Sequence, residues 1–402
     1  MTNTTTRVDK ASSMLKTSKT PESEPAPPKR RRAGAAGFVR ERRSILLVVP
    51  IVLLLIVGLG AMLSASSVIS IRETGDPLFY IKRQVIWVGL GLAAFVVTSK
   101  LPYRLYQRFA VPIYVLAVAG LLATLLFGDV RGGAKRWIEV GPLTLQPSEF
   151  AKLATVIVLA AILVRKGPLL RSLGHFFVPV IVIVGTVSVM LLFQPDFGTL
   201  LLIGASSFAV MLASTAPLGY LAGMATIGGV LAVVGALTKD YRRDRITGFL
   251  DPFADPLNTG HQAVQSLVAL GTGGWFGVGL GASRARWSFL PNAHTDFIFA
   301  IIGEETGFVG ASLVIGLFAL FGFFGIRVAL GAPDRFGRLL AVGIVAWLSF
   351  QALVNIGGVV GALPITGVPL PFVSSGGNAM LVNLAAVGIL FNIARSSPRE
   401  PS

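Results

Sequence analysis

Three carboxylates lie close together between residues 289 and 307. Asp296 comes just before a long apolar stretch, and Glu304 and Glu305 lie inside that stretch. Ionisable side chains within a membrane-spanning helix are energetically costly and usually mark a functional site. The segment therefore predicts a site of chemistry or of transport.

Asp296 has two interpretations, an N-terminal helix cap or a general base. Its setting favours the base, because His294 precedes it by two residues and Arg284 and Arg286 lie on the approach. Along a helix, Glu304 would lie about 12 Å from Asp296. That exceeds the roughly 5 to 9.5 Å between the paired carboxylates of glycosidases. We therefore expect Asp296 to act alone or with a residue from elsewhere.

Glu304 also has two interpretations that the sequence leaves open. It is either a substrate contact or a buried structural partner for an arginine or another polar group. Ser374 belongs to an irregular segment, residues 363–377, that holds three prolines and three glycines. Irregular backbone at a membrane interface normally lines a cavity or is covered by protein. We therefore include Glu304, Ser374 and His294 among the candidate substrate contacts.

Two basic groups could bind phosphate. The first comprises Arg131, Lys135 and Arg136 beside Trp137, followed by Glu149 and Lys152. The second lies at residues 239–245, and from it we select Arg243. Each group also has an ordinary explanation, as an interfacial anchor, solvated charges or an ion pair at a helix start. Since the two groups bracket one long loop, a phosphorylated lipid headgroup is the predicted ligand.

The elements that must position these residues are membrane helices. The 402-residue chain is 53% hydrophobic and 13% charged, with mean hydropathy +0.74. We predict an all-α polytopic membrane protein of about ten transmembrane helices. The expected spans are near 45–67, 82–98, 109–127, 148–164, 177–193, 197–213, 217–237, 297–325, 339–361 and 375–394.

Charge predicts the orientation. If the N-terminal tail is cytoplasmic, the inner segments carry 22 Lys/Arg against 6 Asp/Glu, which accounts for the whole net charge of +16. This satisfies the positive-inside rule and places both termini in the cytoplasm. The other side still carries 13 Lys/Arg. That surplus predicts an anionic ligand there.

The chain divides at composition changes. Residues 1–43 are predicted to be a disordered basic tail that contacts anionic lipid rather than nucleic acid. Residues 44–397 are the membrane domain, 238–296 its long extracytoplasmic loop, and 398–402 a second cytoplasmic tail. Within the loop, residues 260–271 predict a short amphipathic helix. The absence of cysteine excludes disulfides and thiolate chemistry, and the three scattered histidines make no zinc site.

Several motifs together resemble the SEDS family of polytopic cell-wall polymerases, and its division members more than its elongation members. The matching stretches include Gly133-Ala-Lys-Arg-Trp-Ile138, Gln146-Pro-Ser-Glu-Phe-Ala-Lys152, Gln194-Pro-Asp-Phe-Gly198, His294-Thr-Asp-Phe-Ile-Phe-Ala300, Gly303-Glu-Glu305 and Pro364-Ile-Thr-Gly-Val-Pro-Leu-Pro-Phe372. The division cue is Gly75-Asp-Pro-Leu-Phe-Tyr-Ile-Lys-Arg-Gln84. The family usually has Ser-Tyr-Gly-Gly-Ser where this chain has Ser374-Ser-Gly-Gly-Asn378.

The resemblance implies a peptidoglycan glycosyltransferase that polymerises lipid II at the division septum, on the outer face of the bacterial cytoplasmic membrane. Asp296 matches the essential aspartate of the family. The implied partners are lipid II, a class B penicillin-binding protein and other divisome membrane proteins. No cofactor is certain, and a divalent cation, Mg²⁺ or Mn²⁺, is the class we consider. The alternatives are a lipid II flippase and a non-catalytic divisome scaffold.

Overall fold

The structure is a computed structural model that describes residues 30–131, 134–141, 143–285 and 294–396. The side chains of residues 30–43 and of three strand residues, 131, 140 and 143, are not described. Helices account for most of this part of the chain. They are α1 (Arg30–Thr74), α2 (Phe79–Lys100), α3 (Arg104–Arg108), α4 (Ala110–Phe127), α5 (Pro147–Lys166), α6 (Leu173–Phe193), α7 (Phe197–Leu212), α8 (Leu218–Leu237), α9 (Asp240–Leu250), α10 (His261–Gly273), α11 (Ile298–Leu330), α12 (Arg335–Val359) and α13 (Gly377–Ser396).

The predicted membrane helices are confirmed. In the described ranges, nine helices are long and apolar enough to cross a membrane. The tenth expected span coincides with α7, whose 16 residues rise only about 24 Å. The centre of the bundle is built from α5, α12 and α13, which bury most of their surface in the protein, whereas α8 buries very little. A helix that is apolar all round and unburied by protein must face lipid.

Helix α13 packs closely along α2 because glycine lies at the contact. A Cβ built on Gly388 would lie 2.0 Å from Thr98 Oγ1 and 2.6 Å from the carbonyl oxygen of Phe95. Thr98 Oγ1 also donates a hydrogen bond to the carbonyl of Ala385, at 2.9 Å. Small residues and interhelical hydrogen bonds of this kind let two membrane helices approach closely.

The segment between α4 and α5 forms a small antiparallel sheet that the sequence analysis did not predict. Its strands are β1 (Asp129–Arg131), β2 (Ala134–Val140) and β3 (Leu143–Leu145), in the order β1-β2-β3. Trp137 pairs with Asp129, and Glu139 pairs with Thr144. The sheet holds the first basic group on a defined frame rather than on a loose loop.

The long loop after α8 also contains more structure than expected. Helix α10 confirms the predicted amphipathic helix, but α9 was not predicted. At the other end of the chain, α1 begins at Arg30, within the segment that the sequence predicts as a disordered tail. Residues 1–29 and the predicted C-terminal tail, 398–402, lie outside the described residues.

Helix α11 is interrupted at Gly307, where φ is +67° and ψ is −166°. The segment after α10 satisfies the backbone groups that the break leaves free. Phe308 N donates to the carbonyl of Gly274 at 2.9 Å, and Val278 N donates to the carbonyl of Glu304 at 3.0 Å. Broken helices in membrane proteins require such partners, because lipid offers none.

Gly388→Ala is expected to lower the free energy of unfolding by about 1 to 3 kcal/mol, because the added methyl group overlaps α2. Gly228→Ala is the matched control, since a Cβ on Gly228 has no neighbour within 4 Å. At that position alanine should stabilise the helix by roughly 0.5 to 1 kcal/mol. Thermal unfolding of the detergent-purified variants measures both effects, and equal changes would contradict the close packing of α13 on α2.

Candidate functional site

Asp296 lies immediately before α11, in a short turn. Helix α11 begins after Phe297, and no side chain caps its first turn, so Asp296 does not serve as the helix cap. The side-chain amide of Asn355, on α12, donates to the main-chain carbonyl of Asp296 at 2.8 Å. The same amide nitrogen donates to the carbonyl of Val368 at 2.8 Å. Asn355 of α12 thus holds the turn through the main chain of Asp296, and the Asp296 carboxylate is not used in this contact.

An arginine faces this carboxylate across a glycine. A Cβ built on Gly367 would lie 3.6 Å from Asp296 Oδ2 and 3.5 Å from Arg245 Nη1. The two charged groups therefore lie within about 7 Å of each other. Arg245 comes from α9 and donates to the carbonyl of Ile365 at 3.3 Å. Gly367 has φ of +73°, a left-handed conformation that glycine adopts without strain.

Arg136 supplies a second positive charge from β2. Its guanidinium donates to the carbonyl oxygens of Gln194, at 3.4 Å, and Pro195. These bonds join the small sheet to the turn between α6 and α7. Arg136 also acts on Asp296 through its charge. Two separate elements, β2 and α9, therefore bring cations to the acid.

The surroundings of Asp296 tune its acidity. Burial raises the pKa of Asp296 to about 6, while Arg245, Arg136 and a hydrogen bond with Thr295 act in the opposite direction. A carboxyl with a pKa near the working pH is ionised at pH 7 yet basic enough to take a proton. Strongly shifted carboxyls of this kind cluster at functional sites.

His294 lies on the other side of the same turn. Its ring is tilted against Tyr80 of α2, with 5.4 Å between the ring centroids. Its main-chain carbonyl accepts a hydrogen bond from Ser375 N at 3.1 Å. Burial lowers the pKa of His294, so the imidazole is neutral at pH 7. His294 thus joins the turn to α2 and to the start of α13.

A polar row on α12 supports the site. Gln351 lies one helical turn from Asn355, and its amide donates to the carbonyl of Pro369 at 2.8 Å. The oxygen of the same amide accepts from Lys152 Nζ at 3.1 Å and from Trp347 Nε1 at 2.9 Å. Residues four apart on a helix face the same side, so one face of α12 holds both the turn and the loop that follows it.

Comparisons with known proteins agree with this architecture. Residues 44–399 match the model of the FtsW/RodA/SpoVE family, described as cell cycle protein. The chain belongs to the FtsW/RodA/SpoVE family. Stage V sporulation protein E of Bacillus subtilis is 40% identical, over 85% of this chain and 94% of that protein. A probable peptidoglycan glycosyltransferase FtsW of Geobacter metallireducens is 39% identical, over 86% of this chain and 92% of that protein.

Two solved structures share the fold. The first belongs to a peptidoglycan synthase complex that coordinates polymerization and crosslinking, with a TM-score of 0.71 and 29% identity over 89% of this chain and 98% of that chain. The second is the rod shape determining protein RodA of Thermus thermophilus, with a TM-score of 0.66 and 27% identity over 89% of this chain and 97% of that chain. The fold of this chain is therefore that of the FtsW/RodA/SpoVE family.

Arg243, one of the cations predicted for this site, does not face Asp296. Arg243 extends from α9 into solvent, with its guanidinium 3.5 Å from the exposed carboxylate of Asp240. The arginine of α9 that lies beside Asp296 is Arg245, whereas the sequence analysis selected Arg243 as the phosphate ligand from this group. Two residues along a helix turn about 200°, so only one of these arginines can face the acid. Predicting α9 from the sequence would have separated them.

Lys152 and Glu149 are buried in the bundle and do not form an open phosphate clamp. Lys152 Nζ lies 2.8 Å from Glu149 Oε2 and 5.0 Å from the centre of the Trp347 ring. Both residues are at most 2% exposed. The Lys152 ammonium donates to Glu149 and Gln351 and is almost fully buried, so a phosphate cannot reach it in this arrangement. The pair instead supports Gln351, and through it the loop beside Asp296.

Glu304 and Ser374 also have structural partners. The Glu304 carboxylate accepts hydrogen bonds from Ser283 Oγ, Arg284 N at 3.0 Å and Ala285 N at 3.2 Å. It therefore anchors the chain just before residue 286. Ser374 Oγ accepts from Leu370 N at 2.8 Å and shapes the irregular loop. The sequence predicts both as substrate contacts, and the structure gives both of them protein partners.

The remaining basic residues are only partly described. Lys135 is exposed on β2, next to Arg136. Arg131 ends β1, but its side chain, like the whole of Arg286, lies outside the described residues. In the described ranges, no three His, Asp or Glu side chains form a metal-binding group.

Lys152→Met should reduce the free energy of unfolding by about 3 to 5 kcal/mol, because it leaves Glu149 buried without its partner. Pairing it with Glu149→Gln should restore much of that loss, since both buried charges are then removed. Thermal unfolding of the two variants measures the coupling. A Lys152→Met protein of normal stability that binds substrate weakly would instead make Lys152 a substrate contact.

Proposed function

We propose that this chain is a peptidoglycan glycosyltransferase that polymerises lipid II into glycan strands during cell division, with Asp296 as the general base. Membership of the FtsW/RodA/SpoVE family supports the reaction class, and so do the FtsW relatives, which are named as probable peptidoglycan glycosyltransferases. The observation that carries the proposal is a half-buried carboxylate with its pKa raised to about 6, beside Arg245 and Arg136.

In the proposed step, a carboxylate oxygen of Asp296 accepts the proton from the 4-hydroxyl of one lipid II sugar. The hydroxyl oxygen then attacks the anomeric carbon of the growing glycan. The bond from that carbon to the pyrophosphate oxygen breaks, and undecaprenyl pyrophosphate leaves with the electron pair. One displacement inverts the anomeric carbon. Positioned general-base catalysis of this kind contributes about 10² to 10⁴ in rate.

The leaving group needs cations rather than an acid, because pyrophosphate departs as an anion. Arg245 and Arg136 are the cations nearest to Asp296 and are assigned this role. Lys135 extends the positive surface from the same strand. Arg131 remains a predicted member of the group.

A divalent cation, Mg²⁺ or Mn²⁺, fits the residues present. Asn355 Oδ1 is buried without a hydrogen-bond partner, and Asn355 lines the same crevice as Asp296. Mg²⁺ is commonly held by one or two carboxylates together with substrate phosphates and water. When bound, such an ion would supply further neutralisation of the pyrophosphate charge.

The charge distribution supports the membrane orientation, and a related solved complex supports the protein partner. The positive-inside rule directs the N-terminal side of α1 to the cytoplasm, which turns Asp296 to the outer face. The related synthase complex that coordinates polymerization and crosslinking supports a transpeptidase partner. We assign that role to a class B penicillin-binding protein, with other divisome membrane proteins at the septum.

Asp296→Asn should lower the rate of glycan synthesis from lipid II by at least about 10² with normal folding, because the amide cannot accept the proton. Asp244→Asn, an exposed carboxylate on α9, is the matched control and should keep full activity. Gel analysis of the glycan products measures the rates. Undiminished synthesis by Asp296→Asn would exclude the base. Transfer of labelled lipid II across vesicle membranes without polymerisation would favour the flippase. A wild-type protein without polymerase activity, in which Asp296→Asn also has no effect on cell division, would favour the scaffold.

The proposed base also predicts the pH dependence. Activity should fall as the pH drops through about 6, because Asp296 becomes protonated and can no longer accept a proton. Arg245 lowers the pKa of Asp296, so Arg245→Gln should move this acidic limb to higher pH. Arg243→Gln removes an equal charge that is directed at Asp240 and should leave the limb in place. Rate profiles from pH 5 to 8 test this, and equal profiles for the two variants would contradict the assigned role of Arg245.

A further inference from the structure

A second cavity lies beside the turn that carries Asp296, and the proposed reaction assigns it no part. It has a volume of about 170 Å³ and lies between the first half of α2, strand β3 and the start of α13. Its α2 wall is formed by the segment that ends in Arg83 and Gln84, which the sequence analysis used only as a cue to division members. The indole of Trp87 packs against Gly377, where a Cβ would lie 2.3 Å from Trp87 Nε1.

Two amide side chains present their oxygens to this cavity. Gln84 Nε2 donates to the carbonyl of Ser374 at 3.4 Å, and Asn378 Nδ2 donates to the carbonyl of Thr144 at 2.7 Å. Main-chain carbonyls accept only from the NH₂ group, so the orientation of each amide is determined. In the described part of the chain, no protein group donates to either amide oxygen. Both oxygens are therefore hydrogen-bond acceptors for a ligand.

Arg83 provides donors on the same wall. One guanidinium nitrogen, Nη2, donates to Thr144 Oγ1 at 3.0 Å. Among the described residues, no carboxylate pairs with Arg83. An arginine carries five N–H donors, so most of them remain for a ligand. The cavity thus combines acceptors and donors, with Tyr80 and Trp87 as aromatic walls.

The mixture of hydrogen-bond donors, acceptors and aromatic walls in the cavity indicates the chemical class of its ligand. A phosphate carries only acceptors at neutral pH, and the oxygens of Gln84 and Asn378 would repel it. A sugar ring with hydroxyl and acetamido groups both donates and accepts hydrogen bonds, and it has apolar faces for aromatic side chains. The cavity volume of about 170 Å³ offers room for a sugar ring.

The cavity adjoins the proposed reaction centre. Tyr80, which lines the cavity, contacts the ring of His294, and Ser375, also in its lining, donates to the His294 carbonyl. His294 precedes Asp296 by two residues, a span of at most about 7 Å along the chain. A sugar held in the cavity would therefore belong to a saccharide that also reaches Asp296.

We propose that this cavity is a saccharide subsite, in which Arg83, Gln84 and Asn378 bind one sugar ring of a lipid-linked substrate while a neighbouring ring reacts at Asp296. The identity of the saccharide rests on the proposed function. The binding of a neutral sugar rather than a phosphate rests on the hydrogen-bonding groups of the cavity itself.

Binding of two probes to the purified full-length protein tests the subsite. The first probe is a short-chain lipid II analogue, and the second is the same short-chain polyprenyl pyrophosphate without sugars. Arg83→Gln should weaken binding of the lipid II analogue about tenfold or more, because a charged hydrogen-bond donor is lost. Binding of the sugar-free pyrophosphate should not change.

Lys82→Gln is the matched control, because Lys82 is the neighbouring cation on α2 and its ammonium pairs with the exposed Asp76 at 2.7 Å. It should bind both probes as the wild type does. Ser375→Leu should fill the cavity while it keeps the Arg83 side chain, and it should weaken only the lipid II analogue. This second variant decides the matter if Arg83→Gln does not fold.

Equal weakening of both probes by Arg83→Gln would show that the cavity holds phosphate and would overturn the subsite. Unchanged binding in both Arg83→Gln and Ser375→Leu would overturn it as well. These outcomes do not depend on catalysis by Asp296. Polymerisation that survives Asp296→Asn would remove the proposed base while the binding results still decide the role of the cavity.

Discussion

The geometry of the site depends on one amide nitrogen. Asn355 Nδ2 binds the main-chain carbonyls of Asp296 and Val368, two irregular segments that are distant in sequence. Non-helical backbone in a membrane protein must find partners inside the protein, because lipid provides none. Helix α12 supplies them at successive turns through Asn355 and Gln351. The carboxylate is therefore positioned by the centre of the bundle rather than by its own loop.

The same helix connects the site to a buried ion pair. Gln351 accepts a hydrogen bond from Lys152, which is neutralised by Glu149. A buried charge costs several kcal/mol unless it is paired and hydrogen-bonded, so this cluster has little freedom to rearrange. Because the Gln351 amide also donates to the carbonyl of Pro369, this cluster restrains the loop that carries Gly367. The cations that face Asp296 come instead from the small sheet and α9, elements at the edge of the bundle.

The fold was largely predictable from the sequence, and the site only in part. Apolar runs predicted all nine helices of spanning length in the described ranges, together with the shorter α7, and the position of Asp296 before one of them was evident. The small sheet and α9 were missed because polar segments with several glycines carry weak periodicity. Arg243 was chosen over Arg245 because a loop, unlike a helix, does not distinguish residues two apart. Lys152 was considered as a phosphate ligand because Gln351, which helps to enclose it in the bundle, lies 199 residues away in the sequence.

The sequence by itself therefore determined the membrane class, the order of the helices and the place of the acid, since these follow from hydrophobicity and spacing along the chain. Only the tertiary structure decided which side chains meet. It buried Lys152 and Glu304 with structural partners, brought Arg245 to the acid, and opened a second cavity beside Arg83. The physical reason is that such contacts depend on how helices distant in sequence rotate and pack against one another, and local residue patterns do not encode that.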